Sequence, residues 1–207
     1  MKKPEKIIFA TGNKDKLREI REILEGFDIP VLSLKEAGIE ADIAEDGSTF
    51  EENALIKTRS IWEISGGLVL SDDSGLEIDA LNKEPGVLSA RYMGEDTSYH
   101  VKNNELIRRL EGVPDEKRTA RFVCAVAAKF PDGEERVVRG VMEGIIGYEE
   151  KGENGFGYDP IFILPKYGKT TAELPPEIKN EESHRGKALR LMRKEIEEYI
   201  NEDIGSK

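Results

Sequence analysis

The chain has 207 residues, and its 42 acidic and 31 basic side chains give a formal net charge of −11. That length suits one domain, residues 1–207, with a substantial hydrophobic core and room for two small lobes. The acidic pI of about 4.9 argues against a partner such as a nucleic-acid polymer or an anionic membrane, but it leaves room for a local positive pocket that binds a nucleotide.

The cysteine and apolar patterns exclude several further classes of protein. Cys124 is the single cysteine, which rules out an internal disulfide framework and a multi-cysteine zinc site. It belongs to the longest strongly apolar run, residues 123–128, which is far shorter than the roughly 20 residues that span a bilayer. The apolar segment at residues 7–10 is too short for a secretion signal. We therefore expect a cytoplasmic protein with no membrane partner.

The first half of the chain alternates between apolar strands and amphipathic helices. Leu17, Ile20 and Leu24 follow helical spacing with charged residues between them. Ser48 or Thr49 can cap a second helix, which a pair of glycines ends. The elements predicted here are strands over residues 6–10, 30–34, 68–71 and 76–80 and helices over residues 14–25 and 49–65, with a turn at Asp72-Asp73-Ser74-Gly75.

The second half is richer in β-strand signals. Pro131-Asp132-Gly133 predicts a hairpin between strands over residues 119–130 and 134–142. The other predicted elements are loops over residues 84–96 and 152–159, a helix over 99–110, a strand over 161–164, and a final helix over 183–200 with a buried stripe of Ala188, Leu191, Met192, Ile196, Tyr199 and Ile200. Strand–helix alternation followed by a hairpin predicts an α/β fold around a mixed sheet, with two lobes and a cleft between them.

The segment Thr11-Gly12-Asn13-Lys14-Asp15-Lys16 lies between a buried strand and the start of a helix. Free backbone N–H groups and the helix dipole attract anions at such a place, and glycine allows a phosphate to come close to the backbone. Lys14 or Lys16 would add positive charge. The segment is therefore a candidate phosphate site, although a solvated strand-to-helix turn would have the same pattern.

Two adjacent carboxylates, Asp72 and Asp73, follow the predicted strand over residues 68–71, where ligands gather in α/β folds. Glu45 lies just before the second helix, and if the two turns are neighbours, Glu45 and Asp73 could hold one Mg²⁺. Magnesium suits this arrangement because it takes few carboxylates and keeps waters and phosphate oxygens as its other ligands. An ordinary acidic turn remains the alternative.

Two later segments have side chains suited to a flat, polar ligand. In Asn154-Gly155-Phe156-Gly157-Tyr158-Asp159-Pro160, flanking glycines leave Phe156 room to stack, and Asp159 could accept a hydrogen bond. In Ser183-His184-Arg185-Gly186, the His–Arg pair could donate to a carbonyl oxygen, with Lys179 near in sequence. A β-structure corner and an exposed capping turn are the respective alternatives.

Taken together and in order, these segments resemble one family. They include Phe9-Ala10-Thr11-Gly12-Asn13-Lys14, Thr49-Phe50-Glu51-Glu52-Asn53-Ala54, Ser71-Asp72-Asp73-Ser74-Gly75-Leu76, Pro85-Gly86 with Ser89-Ala90-Arg91-Tyr92, Gly155-Phe156-Gly157-Tyr158-Asp159-Pro160, and Ser183-His184-Arg185-Gly186. The sequence is similar to the inosine/xanthosine triphosphate pyrophosphatases, which hydrolyse non-canonical purine nucleotides. The resemblance extends over about residues 6–193.

The resemblance implies a long central mixed sheet with two α/β lobes flanking an active-site cleft, a homodimer, and Mg²⁺-dependent hydrolysis of ITP, dITP and XTP to the monophosphate and pyrophosphate, which cleanses the nucleotide pool. It implies Asp73 as general base and metal ligand, Glu45 as the second metal ligand and Asp72 as support. The residues implied to hold the triphosphate are Thr11, Gly12, Asn13, Lys14, Asp15, Lys16 and Ser74. Those implied to form the base site are Phe156, Gly157, Tyr158, Asp159, Lys179, His184 and Arg185.

The donor and acceptor pattern of the bases agrees with that site. Hypoxanthine and xanthine have a 6-oxo acceptor, to which His184 or Arg185 can donate, and an N1–H donor, which Asp159 can accept. Adenine has the reverse pattern and would leave buried polar groups unpaired. Two alternatives stay open: a related pyrophosphatase for modified pyrimidine nucleotides or dTTP, and a regulator that binds purine triphosphates without hydrolysing them.

Overall fold

The computed structural model describes residues 4–202, apart from the side chains of Asp15 and Glu202. Its helices are α1 (Lys14–Ile23), α2 (Phe50–Ser65), α3 (Tyr99–Arg109), α4 (Pro176–Glu182) and α5 (His184–Glu202). Its strands are β1 (Ile7–Phe9), β2 (Val31–Ser33), β3 (Leu68–Ile78), β4 (Thr119–Lys129), β5 (Glu135–Ile146), β6 (Phe162–Leu164) and β7 (Lys169–Thr170).

The seven strands form one mixed sheet in the order β2-β1-β3-β4-β5-β6-β7. β1 is parallel to both of its neighbours, and Ile7 lies opposite Val31 on one side and Leu68 on the other. β6 is antiparallel to β5 and to β7. The predicted α/β class with a long mixed sheet is confirmed. The parallel strands come from the strand–helix alternation of the first half, because parallel neighbours need a crossover connection.

The chain divides into two compact units, and β3, β4 and β5 each contribute residues to both. Unit 1 comprises Met1–Asp73, Cys124–Gly140 and Arg185–Lys207, and unit 2 comprises Ser74–Val123 and Val141–His184. Each has its own apolar core. The core of unit 1 joins side chains of β1, β3 and β4 to α1 and α5, and the core of unit 2 joins the other ends of β3, β4 and β5 to α3 and β6.

The local signals that begin and end helices are visible in the structure. Thr49, one of the two predicted caps, accepts a hydrogen bond at its side chain from the backbone N–H of Glu52, and Gly66 follows the last residue of α2. In α5 the buried stripe is close to the prediction, but Leu191 is 41% exposed and Leu189 is buried in its place. None of the described helices is both long and apolar enough to cross a bilayer.

The predicted turn at Asp72-Asp73-Ser74-Gly75 is wrong, because β3 runs without interruption from Leu68 to Ile78. β1 pairs with β3 only at residues 68–70, and β4 is the neighbour on the other side, so β3 continues as a strand of the sheet through the acidic stretch. The turn preference of Asp, Ser and Gly is weak compared with that pairing. As a result, the two aspartates project from a rigid central strand rather than from a flexible turn.

Several short elements are not predicted by the sequence patterns. α4 and β7 fall where no clear periodicity exists, and β5 extends beyond the predicted residue 142 to Ile146. Elements of two to seven residues contain too few side chains for a period of 2.0 or 3.6 to show. α4 matters for the site, because it includes Lys179.

Candidate active site

The turn between β1 and α1 in unit 1 is held by its own polar side chains. The Thr11 hydroxyl accepts a hydrogen bond from the backbone N–H of Asn13 (3.1 Å). The Asn13 side chain in turn accepts from the N–H of Lys16 (3.2 Å), which caps the first turn of α1. A side chain at Gly12 would point into open space, so a ligand can approach the backbone there. Lys14 is exposed at the helix start.

A groove of about 1170 Å³ opens beside this turn. One wall is α1, including Leu17 and Arg21, and the other is residues 33–41. Arg21 ties the two walls together, because its guanidinium donates to the backbone oxygen of Val31 (2.8 Å) and to the carboxylate of Glu36 (2.7 Å). The groove has the size of a small-molecule pocket, and its second wall is not predicted by any sequence pattern.

Asp72 is the buried centre of a charged cluster in unit 1. Its Oδ2 lies 2.7 Å from the Lys16 ammonium and 3.5 Å from Nε of Arg185. Arg185 also donates to Glu19 on α1 (3.1 Å). Burial by itself would raise the pKa of the Asp72 carboxyl, but the charges of Lys16 and Arg185 outweigh burial and lower it to about 2. Asp72 is therefore ionised and orients two of the predicted substrate-binding cations.

Asp73 and Glu45 meet at one ammonium group, that of Lys57. The Lys57 Nζ lies 2.9 Å from Glu45 Oε2 and 3.9 Å from Asp73 Oδ1. The other Asp73 oxygen accepts a hydrogen bond from the side-chain amide of Asn53 (3.0 Å), whose own carbonyl oxygen accepts from the backbone N–H of Gly47 (2.8 Å). The acidic segment before α2 and the end of the unit 1 part of β3 are thus neighbours.

Asn53 lies in one of the quoted motifs but has no predicted role, and Lys57 lies in none of them; both are functional candidates in the structure. They stand four residues apart and so on one face of α2. The signal that could have found them is polarity at core-facing positions: Asn53 is buried and the Lys57 side chain is only 13% exposed, on a helix whose other buried residues are mostly apolar. A buried amide and ammonium need polar partners, and here those partners are carboxylates.

The donor set at Glu45 and Asp73 fits a hard divalent cation. The described residues contain no group of three or more His, Cys, Asp or Glu side chains able to hold a metal ion. Two carboxylates that share the Lys57 ammonium nevertheless provide a pair of negatively charged oxygen ligands for a cation. Magnesium is bound in this way, by one or two carboxylates with substrate phosphates and water completing its shell.

In unit 2 the segment around Phe156 is organised by a buried carboxylate, Asp159. Its Oδ2 accepts from the backbone N–H of Phe156 (2.8 Å) and lies 2.5 Å from the Lys179 ammonium. Its Oδ1 accepts from the Thr171 hydroxyl (2.8 Å). Gly155 has a positive φ of 77°, and a side chain there would overlap Asp159. Both oxygens of Asp159 are therefore engaged within the protein, and its predicted contact with a base N–H stays a prediction.

The same segment leaves an aromatic ring in solvent beside a cation. Phe156 is 64% exposed, and the Lys179 ammonium lies 5.3 Å from the centre of its ring. Tyr158 is buried and donates its hydroxyl to the backbone oxygen of Ser89 (2.6 Å). His184 stacks on Phe122 with ring centres 5.1 Å apart. Phe156 and Lys179 thus offer a flat face and a donor to a planar ligand.

The predicted site residues are divided between the two units. Those in unit 1 are Thr11, Gly12, Asn13, Lys14, Lys16, Glu45, Asp72, Asp73 and Arg185, and those in unit 2 are Ser74, Phe156, Gly157, Tyr158, Asp159, Lys179 and His184. The side chain of Asp15 lies outside the described residues. Ser74 follows Asp73 in β3 and is half-buried. Arg185 contacts Asp72 and Glu19, and its predicted contact with a base stays a prediction.

Comparison with known proteins gives a consistent result. The model of the Ham1 family matches residues 7–195. A dITP/XTP pyrophosphatase of Exiguobacterium sibiricum is 47% identical over 95% of this chain and 100% of its own length. One from Caldanaerobacter subterraneus is also 47% identical, over 96% of this chain and 99% of its own. The solved structure of the Staphylococcus aureus Ham1 protein superimposes with a TM-score of 0.87 at 40% identity, covering 94% of this chain and 99% of that one.

Proposed function

This chain belongs to the Ham1 family, and on that premise we propose that it is a pyrophosphatase for non-canonical purine nucleoside triphosphates, with ITP, dITP and XTP as substrates. The products are the nucleoside monophosphate and pyrophosphate. The observation that carries the proposal is the arrangement of Asp73, Glu45 and Lys57, in which an oriented carboxylate lies beside a second carboxylate and an ammonium group.

The cofactor in this proposal is Mg²⁺, held by Glu45 and Asp73. A bound magnesium ion supplies positive charge to the phosphate oxygens and polarises the phosphoryl group. The acidic chain needs that charge, since a triphosphate has roughly four negative charges of its own. Lys16 and the backbone N–H groups at the start of α1 add further positive potential on the phosphate side.

In the proposed reaction Asp73 acts as the general base. Its carboxylate takes a proton from the attacking water while the water oxygen forms a bond to the α-phosphorus. The bond from the α-phosphorus to the bridging oxygen breaks, and pyrophosphate leaves with that electron pair. Asn53 holds one oxygen of Asp73 by a hydrogen bond, which leaves the carboxylate in a single orientation. Asp72 acts at a distance, by holding Lys16 in place for the phosphates.

Base recognition in this proposal is the task of the segment around Phe156. The exposed ring of Phe156 would offer a stacking surface for a purine, and Lys179, whose ammonium lies beside that ring, would donate to a 6-oxo group. Adenine has an amino donor at that position, so an ammonium group facing it would have no acceptor. Asp159 contributes by fixing both Phe156 and Lys179.

The cellular role follows from this chemistry. Hydrolysis of ITP, dITP and XTP would cleanse the nucleotide pool of purines that mispair when they are incorporated. We place this activity in the cytoplasm and expect the active form to be a homodimer, as the motif resemblance implies. Sedimentation equilibrium at micromolar concentration would test the dimer, and a single species of about 23.2 kDa would exclude it.

The first experiment is a nucleotide panel of ITP, dITP, XTP, GTP, ATP and dTTP, with and without Mg²⁺, that resolves pyrophosphate from orthophosphate. Pyrophosphate from ITP, dITP and XTP, lost on chelation, is the expected result. Release from dTTP instead would indicate the pyrimidine-directed alternative. Binding without any product would indicate a regulator and would withdraw the role given to Asp73.

A further inference from the structure

One face of α3 consists of polar side chains that the proposed mechanism does not use. Tyr99, Lys102 and Asn103 stand at positions i, i+3 and i+4 and so share that face. Lys102 and Asn103 are each only 1% exposed. Long polar side chains are rarely buried in this way unless they hold something in place.

These side chains contact two loops of unit 2. The Lys102 ammonium donates to the backbone oxygen of Ala90 (2.7 Å) and lies 4.9 Å from the centre of the Tyr99 ring. Tyr99 packs edge-on against Tyr158, with ring centres 5.2 Å apart. The face therefore reaches both the loop that contains Ala90 and the segment that contains Phe156.

Asn103 makes two of these contacts with a single amide nitrogen. Its Nδ2 donates to the backbone oxygen of Gly157 (3.2 Å) and to Oε1 of Glu150 (2.7 Å). Both partners are acceptors, so a reversed amide would place its oxygen against two other oxygens, and only one orientation is allowed. The Asn103 Oδ1 is buried and has no hydrogen-bond partner among the described residues. The amide is thus committed as a donor to this loop.

The position of the Gly157 carbonyl affects the direction of the preceding aromatic side chain, Phe156. Gly157 has a positive φ of 69°, which few other residues adopt, and a Cβ added there would be in van der Waals contact with the Tyr99 ring. The Phe156 ring is 64% exposed, so packing restrains it little and its direction depends on the backbone on either side. Asp159 holds the N–H of Phe156, and Asn103 holds the carbonyl of the next residue.

We propose that Asn103 is a positioning residue for base recognition: by holding the Gly157 carbonyl it sets the direction of the Phe156 ring and so the selectivity between purines. This inference rests on the proposed function. It predicts that loss of Asn103 weakens nucleotide binding and selectivity, while the chemistry at Asp73 is left unchanged. Glu150 is a weaker determinant, because its carboxylate has a second partner in His100.

The test compares Asn103→Ala with Asn104→Ala, which changes an adjacent, exposed asparagine whose amide donates to the backbone oxygen of His100 in α3. Steady-state kinetics with ITP and ATP in Mg²⁺ are measured below the melting temperature of each variant. For Asn103→Ala we expect KM for ITP to rise about tenfold, with kcat within about twofold of that of the unaltered protein. The preference for ITP over ATP should become smaller. Asn104→Ala should match the unaltered protein.

A third variant separates the two bonds of the amide. Glu150→Ala removes one acceptor and leaves the Gly157 contact, so its KM should stay close to that of the unaltered protein. If Asn103→Ala does not fold, Asn103→Ser replaces it, since serine is polar but too short to reach Gly157, and the same rise in KM is expected.

Three results would overturn the inference: an unchanged KM in folded Asn103→Ala, a kcat that falls as far as KM rises, or a Glu150→Ala variant with the same defect as Asn103→Ala. If the unaltered protein releases no pyrophosphate from any purine triphosphate, the proposed function itself fails, which is a separate outcome.

Discussion

The polar groups of unit 1 and unit 2 are held in different ways. In unit 1 the charged side chains come from regular elements far apart in sequence: Lys16 from α1, Lys57 from α2, Asp72 from β3 and Arg185 from α5. In unit 2 Phe156 lies in a loop, which side chains of α3 and α4 contact through Asn103 and Lys179. A reacting carboxylate must be placed to within a fraction of an ångström, and packed helices and strands provide that precision better than a loop does.

Asp72 in unit 1 and Asp159 in unit 2 are both buried carboxylates, and their surroundings differ. Asp72 lies between two cations and contacts elements at three places in the chain. Asp159 has one cation, Lys179, and otherwise accepts hydrogen bonds from Phe156 and Thr171. The first arrangement holds charges in place for a triphosphate. The second shapes a loop so that an aromatic ring remains in solvent.

The comparison predicts that changes in unit 1 lower kcat and changes near Phe156 raise KM. The largest effect is expected for Asp73→Asn, which keeps the shape of the side chain but removes the base. Turnover of ITP should fall by about 10³-fold with little change in melting temperature. Asp42→Asn, at an exposed position of unit 1, is the control. Near-normal turnover in Asp73→Asn would remove Asp73 from its role.

A second test concerns the ammonium shared by two carboxylates. Lys57→Met keeps the length of the side chain but removes the ammonium that Glu45 and Asp73 share, so kcat should fall by about 10²-fold. Lys117→Met, at an exposed position in unit 2, should be neutral. Rapid-quench measurement of the chemical step would locate the defect. A Lys57→Met variant with normal kcat and raised KM would contradict the assignment of kcat to unit 1 and of KM to the region near Phe156.

The third test is made on the exposed ring. Phe156→Ala should raise KM for ITP about tenfold and leave kcat nearly unchanged, because stacking of a base on an aromatic ring contributes about 1–3 kcal/mol. Tyr148→Ala is a matched control, since that aromatic ring is also 64% exposed. Equal effects of the two substitutions would mean that Phe156 has no special contact with the base.

The smallest effect is on stability at acid pH. The pKa of Asp72 is about 2 in the folded protein, below its ordinary value of 3.8, so its pairing stabilises the fold above pH 4 and is lost as the pH falls towards 2. Urea unfolding between pH 6 and pH 2.5 should show a decrease in the free energy of unfolding. In Asp72→Asn part of that decrease should be absent, with lower stability already at pH 6. An identical pH dependence in both proteins would contradict the assigned pairing.

Much of the fold could be predicted from local patterns. The helices α1, α2, α3 and α5 and the hairpin of β4 and β5 all appear close to their expected positions. These elements are long enough for their periodicity to be read. The expected turn at Asp72 fails because residue preferences describe an isolated segment, whereas this segment lies within a continuous strand that has β4 as a neighbour in the sheet.

The residues of the candidate site also fall into two classes, those that local motifs predict and those that only the tertiary contacts reveal. The motifs single out Thr11, Lys16, Asp73 and Phe156, because glycine, lysine and aspartate next to strand ends are local features. They do not single out Lys57 or Asn103, whose importance comes from what they touch. A lysine or asparagine on a helix is ordinary until the packing shows that it is buried.

The sequence by itself determined the α/β class, the order of the motifs, the family resemblance and the supply of carboxylates and lysines. The tertiary structure alone decided which of these charges meet: Asp72 with Lys16 and Arg185, and Glu45 with Asp73 at Lys57. The physical reason is how far apart along the chain the interacting residues lie. Helical and strand periods are set by neighbours a few residues apart, whereas ion pairs between distant segments depend on how the whole sheet brings those segments together.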